Sequence, residues 1–199
     1  MKLNDNIDFI GQFSIKAFNK DGSIEVYEDK NLIMDRARQN MAQLVGGVTT
    51  EGSAINKFVL GTEGHVGTNI LEFKQVGSDG FDSTRTEIFS EENTTEHYVI
   101  PFDPLGGFTI QDDVTNSYNS NDIDAKESCT VLRTVSNRTV TYVITIPDAS
   151  GNAYDTTTSV IAYTEAALYA GDDIFSMKTF PARVKEDTVK FEITWSIIF

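Results

Sequence analysis

From Val189 onward every second residue is large and apolar (Val189, Phe191, Ile193, Trp195, Ile197, Phe199), while Lys190, Glu192, Thr194 and Ser196 fill the alternate positions. Successive side chains on a strand point to opposite faces, so this pattern predicts a strand with one buried and one polar face. Together with Ile174 to Phe180 it reads as a closing β-hairpin. Pro181 ends the first arm, because proline donates no ladder hydrogen bond and holds its predecessor extended. A strand of this kind at the C-terminus predicts a domain closed around it. Near the other end, Phe13, Ile15 and Ala17 alternate with polar residues. The pattern resumes at Ile24 and Val26 after Asn19-Lys20-Asp21-Gly22, which predicts a hairpin with glycine in the turn.

The period then changes. Ile33, Met34, Ala37, Met41, Leu44 and Val45 recur at three- and four-residue spacing before Gly46-Gly47. This predicts an amphipathic helix over about Leu32 to Val45, its apolar stripe on the sheet. Short strands follow at Ile55 to Leu60, Thr86 to Phe89 and His97 to Phe102, with an irregular connection from Gly61 to Arg85. Ser128 to Val135 and Thr139 to Ile146 form another hairpin through Ser136-Asn137-Arg138. Thr157 to Tyr163 pairs with Ile174 to Phe180, and Glu165-Ala166-Ala167-Leu168-Tyr169 reads as strand or helical turn. The tally predicts a mainly β fold, an antiparallel β-sandwich with one packed amphipathic helix near the N-terminus. It occupies 1–199 as a single domain, with 103–126, the most polar stretch, as an extended loop or insertion that contacts a partner or moves.

The chain has 30 acidic and 16 basic residues, a net charge of −14. Such a surface repels phosphate backbones, which argues against DNA or RNA as a partner. No apolar run approaches the roughly 20 residues of a membrane-spanning helix. The opening MKLNDNIDFIGQF lacks the apolar region of a signal peptide, so synthesis in the cytoplasm is expected. The single Cys129 fits a reducing compartment and reads as a small buried residue.

Residue types that carry chemistry are sparse. His65 and His97 stand without another histidine or a cysteine at ligand spacing, so no zinc site is expected. Gly61 to Gly67 lacks both the Gly-Lys-Ser/Thr ending of a P-loop and the spacing of dinucleotide folds, and reads as a turn. The oxygen-rich stretch Asp112 to Asp124 places Ile123 where an EF-hand needs an oxygen ligand. No catalytic residue, metal or cofactor is therefore expected, and the chain reads as a non-enzyme. Lys178, Arg183 and Lys185 gather near the end of the penultimate strand. They read as solvated loop charges, or as contacts to an acidic neighbour such as another copy of the chain. Trp195 reads as a core anchor, and Phe199 as core or interface.

Several of these segments together resemble small structural proteins of tailed bacteriophages. At the N-terminal end they are Lys30-Asn31-Leu32-Ile33, the helix, Gly46-Gly47, and Ile55 to Gly64, where Glu63 interrupts the usual Gly-Thr-Gly. At the C-terminal end they are Glu165 to Tyr169, Phe175-Ser176-Met177-Lys178-Thr179-Phe180-Pro181 and Trp195 to Phe199. The resemblance covers about half the chain and implies a non-enzymatic virion component of head, neck, tail or baseplate. Its partners would be other virion proteins and further copies of itself. The alternative is a carbohydrate-binding β-sandwich for host attachment, using loop aromatics such as Phe108, Tyr118 or Tyr154 on a host glycan.

Overall fold

A computed structural model describes residues 9–47, 54–102, 129–148, 150–152 and 160–199. Its elements run β1 (Ile10–Phe18), β2 (Ile24–Ile33), α1 (Asp35–Val45), β3 (Ile55–Gly61), β4 (His65–Val66), β5 (Asn69–Phe73), α2 (Phe89–Glu92), β6 (His97–Pro101), β7 (Thr130–Ser136), β8 (Thr139–Ile146), β9 (Ile161–Ala170), β10 (Asp173–Lys185) and β11 (Lys190–Ile198). Nine of the described strands form one antiparallel sheet in the order β6-β3-β9-β10-β2-β1-β11-β8-β7, while β4 and β5 make a separate hairpin. The sheet curls into a half-barrel. The protein is thus mainly β and antiparallel, as expected.

β1 and β2 form the expected hairpin, with Gly22 in the left-handed region at φ +83°. The hairpin does not stay at an edge. It inserts between the last two strands, so β11 pairs with β1 on one side and β8 on the other, and β10 pairs with β9 and β2. The expected closing hairpin of β10 on β11 is therefore replaced by two separated strands. An alternating pattern reports which face is buried but not which strand lies alongside.

The join between β2 and β10 is only two residue pairs long, Ile33 with Ser176 and Leu32 with Met177. Beyond it the two halves of the sheet fold over a common core. Trp195 stands at its centre, fully buried, with ring centroids 5.0 Å from Phe13 and 6.1 Å from Phe58. The indole N–H donates to Ser176 Oγ at 3.2 Å, and that hydroxyl donates to the Leu32 carbonyl at 3.0 Å. One hydrogen-bonded relay thus crosses β11, β10 and β2 at the join.

A second apolar cluster lies on the opposite face of β9, β10 and β3, where Met34, Phe81, Ile88 and Phe89 cover Val59, Ala167, Tyr169, Ile174 and Met177. Both faces of β9 are consequently buried, which explains why Glu165 to Tyr169 shows no alternation and still forms a strand. The same cover accounts for the weak periodicity between Gly61 and Arg85: Phe81 plugs the outer face from a loop, and β4 and β5 form a short hairpin within that stretch. The strand expected at Thr86 to Phe89 is instead irregular chain leading into α2, since Ile88 and Phe89 are spent on that cover rather than on a ladder. Pro181 does not end β10. It sits inside a bulge between Thr179 and Arg183, where pairing with β9 is interrupted and no N–H is needed. α1 begins three residues later than expected, and its apolar stripe is only partly used. Met34 and Ala37 are buried, but Leu44 and Val45 in the last turn are exposed.

Removing the indole opens a large cavity and unties the relay at the join. Trp195→Ala is expected to cost about 3–5 kcal/mol, read as a lower urea midpoint by far-UV circular dichroism.

Candidate functional site

The cationic residues near the end of β10 do not form an open basic patch. Lys178 is buried and its ammonium lies 2.7 Å from Asp29 Oδ2, on β2 across the seam between the two halves. The Tyr27 hydroxyl donates to the same oxygen at 3.0 Å. The Tyr27 ring meets Phe73 of β5 edge-on at 5.9 Å, and the Arg183 guanidinium lies 5.7 Å from the Tyr27 ring centre. Arg183 donates to the carbonyls of Pro181 and Ala182, tying off the bulge, while its Nε is buried without a hydrogen-bond partner. Burial pulls the Asp29 carboxyl upward, but hydrogen bonds from Lys178 and the Lys30 N–H, with the ammonium charge, outweigh it and hold the group below the usual carboxylate range. Burial and then the Asp29 hydrogen bond keep the Tyr27 phenol well above its ordinary value.

Lys185 is buried at the far end of β10. Its ammonium donates to the carbonyls of Asp148 and Glu186 at 3.0 and 3.1 Å and to Asn152 Oδ1 at 2.7 Å, pinning the segment after β8 to β10. Burial pulls its pKa down to about 8, against the upward pull of Asp148, Cys129, Asp187 and Glu186. Cys129 is buried, as expected.

Among the described residues, Glu165 is a fully enclosed carboxyl group that no motif in the sequence marks. Glu165 has no solvent exposure, and its oxygens accept hydrogen bonds from the Phe89 N–H at 3.0 Å, the Ser90 N–H at 2.8 Å and the Ser90 hydroxyl at 2.7 Å. Ser90 Oγ in turn accepts from the Thr62 N–H at 2.7 Å. A Cβ on Gly61 would stand 2.5 Å from both Glu165 Oε1 and Ser90 Oγ, and one on Gly64 would collide with the Thr164 carbonyl. The Gly-Thr-Glu-Gly segment thus lies where no larger residue fits, and its glycines serve close approach rather than a phosphate cradle. Burial pushes the Glu165 carboxyl up, while the donated hydrogen bonds pull it back. Beside it the Tyr169 hydroxyl donates to Glu91, and burial followed by that charge raises its pKa well above the phenol range.

A concavity lies elsewhere among the described residues, on the outer face of β2, β1 and β11. It is a depression of about 480 Å³ with Gln12, Ser14, Thr194 and Ser196 between Glu28 and Lys30. Register places Lys30, Gln12 and Ser196 in one row and Glu28, Ser14 and Thr194 in the next, so the outward positions of three strands make a floor of short hydroxyls with longer charged side chains at the β2 rim. Ser14 donates to Glu28 at 3.4 Å, and Thr141 and Ser196 share a hydroxyl contact at 3.0 Å. The polar alternation of Ser14, Thr194 and Ser196 was visible in the sequence, but their assembly required the strand order.

Phe199 is partly buried and meets Phe9 edge-on at 5.4 Å. Phe108, Tyr118, Tyr154, the stretch Asp112 to Asp124 and the loop 103–126 lie outside the described residues. His65 and His97 are half-buried. Among the described residues no group of three metal-binding side chains converges, and no helix is long and apolar enough to cross a membrane. No family model, curated protein or solved structure matches this chain.

Glu165→Ala strips the partner from two buried main-chain N–H groups and a hydroxyl, and is expected to cost about 3 kcal/mol, measured by equilibrium urea unfolding. For Lys185 the folded pKa, about 8, lies below the ordinary 10.5. Its contribution is therefore fully present above the unfolded value and lost as pH falls through the folded one. Stability should rise by roughly 1–2 kcal/mol between pH 8 and 9.5, and Lys185→Met should flatten that rise in unfolding titrations.

Proposed function

We propose that this protein is a non-enzymatic structural subunit of a tailed-phage virion. In this reading it holds neighbouring virion proteins, including further copies of itself, through its β-rich surfaces and loops. The observation that carries the reading is the convergence of the segments that resemble phage structural proteins. Leu32 and Ile33 pair with Met177 and Ser176, Trp195 donates to Ser176, and the glycines of Gly61 to Gly64 close on Glu165 and Thr164. Segments from the N-terminal and C-terminal parts of the chain thus meet along one seam and its flank. They read as the signature of a body plan, the two halves of the half-barrel acting as the layers of a sandwich. The charges drawn inside serve the same end, since Glu165, Lys178 and Lys185 all tie strands or loops together. Neck or collar, tail or baseplate adaptor and capsid decoration are the positions this reading covers, with neck and tail preferred.

The depression on the outer face favours a second reading, carbohydrate binding during host attachment. Its amide and hydroxyl floor beside Glu28, Asp29 and Lys30 matches the donors and acceptors of a neutral sugar.

Quantitative mass spectrometry of purified particles separated into heads and tails tests the first reading. The chain is expected at a fixed ratio to the major capsid or tail protein, in one fraction. Its absence from both overturns the virion reading and moves the carbohydrate reading forward, to be tested on a glycan array with a Gln12→Ala, Ser196→Ala variant.

A further inference from the structure

Lys178 and Lys185 are both drawn inside, but they end on different partners. Lys178 meets the Asp29 carboxylate in an ion pair. Lys185 meets neutral oxygens, the main-chain carbonyls of Asp148 and Glu186 and the side-chain carboxamide of Asn152. Its side chain has no solvent exposure, so the amine has no hydration shell to shed before it reacts. Burial brings its pKa down to about 8, while the groups that face it, Asp148, Cys129, Asp187 and Glu186, pull the other way. In mildly alkaline solution much of the amine therefore carries a lone pair, and a desolvated amine of this kind is a nucleophile.

The carboxamide beside it is held in place. Lys185 Nζ stands 2.7 Å from Asn152 Oδ1, which is one bond from the carbonyl carbon Cγ. Asn152 Nδ2 donates to the Asp148 carbonyl at 2.8 Å, and the same carbonyl accepts from Lys185 Nζ at 3.0 Å. One peptide oxygen thus fixes which end of the carboxamide faces the amine. The short segment that carries Asn152 is itself anchored. The Ser150 N–H donates to the Pro147 carbonyl at 3.2 Å, the Tyr163 hydroxyl donates to the Gly151 carbonyl at 2.8 Å, and Gly151 turns the chain at φ +67°. Two reacting groups held in contact in this way need no encounter in solution. Asn152 is only half-buried, so a group leaving from it has a way out to water.

We propose that the folded chain joins Lys185 to Asn152 through an isopeptide bond, a covalent cross-link between β10 and the segment after β8. The lone pair of Nζ forms the Nζ–Cγ bond, the Cγ–Nδ2 bond breaks, and Nδ2 departs as ammonia with the proton that Nζ gives up. The reaction needs no oxidant, reductant or further reactant. Cys129 is the single cysteine of the chain and is buried, so an internal disulfide is not open to this protein. The cross-link supplies a staple of another kind, between two elements that share no ladder. It stands independently of the virion and carbohydrate readings.

Intact-mass spectrometry of the denatured full chain, fresh and after incubation at about pH 9, tests it. The expected product is lighter than the sequence mass by one ammonia, and its protease digest contains a branched peptide pair joining Lys185 to Asn152. Formation should speed up as pH rises through about 8, where Lys185 gives up its proton. Lys185→Met removes the nucleophile and Asn152→Ala removes the carbonyl, so both variants should stay at their own sequence masses. A linked chain has no Lys185 amine to titrate, so the rise in stability above about pH 8 belongs to unlinked protein and should vanish from the linked form. A wild type that circular dichroism shows to be folded and that keeps its sequence mass overturns the proposal. So does ammonia lost without the branched peptide, which marks an asparagine cyclised on its own main chain.

Discussion

The curl of the sheet depends on how little of β2 touches β10. Eight residues of β2 pair with β1, but only Leu32 and Ile33 carry the sheet across to β10. A longer ladder would hold the two halves in one twisted plane and leave their apolar faces in water. A two-residue join lets the halves fold toward each other, and Trp195 fills the space this creates. The indole brings a polar atom into an apolar interior, so its N–H must find an acceptor. Ser176, on the strand that makes the join, provides it and donates its own hydroxyl hydrogen bond to the Leu32 carbonyl.

The interior charges follow from the same geometry. A strand buried on both faces leaves no side for a solvated charge, yet β9 carries Glu165. Burying a carboxylate unpaired would be very costly, and converging donors offset much of that cost. Here they come from the start of α2 and the Ser90 hydroxyl, so the price of one buried carboxylate fixes the whole outer cover in place. Lys178 and Lys185 act in the same way on β10, one across the seam and one against the end of β8. Lys178 reinforces the short join between β2 and β10, and Lys185 ties β10 to the segment after β8, with which it shares no ladder.

What the sequence made legible was local. The strict alternation of Phe191 to Ile197 and of Phe13 to Ala17 marked their strands, because each has one face in the core and the other in water. β9 was ambiguous because burial on both faces erases the alternation that identifies a strand. The separation of β10 from β11 was hidden, since pairing partners are decided by contacts more than 150 residues apart, such as Phe13 with Trp195. Lys178 and Lys185 looked like surface charges because composition does not reveal that Asp29 and three oxygen acceptors await them. Glu165 could have been suspected from an acid set among Ala166, Ala167 and Leu168, an apolar run where a carboxylate needs a dedicated partner. The outer depression was legible only as hydroxyls on alternate positions, without the neighbours that make them a floor.

The distribution of the remaining charge follows from these internal demands. Fold formation draws two lysines of β10 into the interior, while the cover around α2 keeps its acidic side chains at the surface around a single arginine, Arg85. β7 and β8 meet no such requirement, because their inward positions pack on the main core and their outward ones are mostly threonine and aliphatic. A chain of net charge −14 thus comes to have a basic edge and an acidic flank. At physiological ionic strength screening acts over about 8 Å, so this polarity matters at contact rather than at long range.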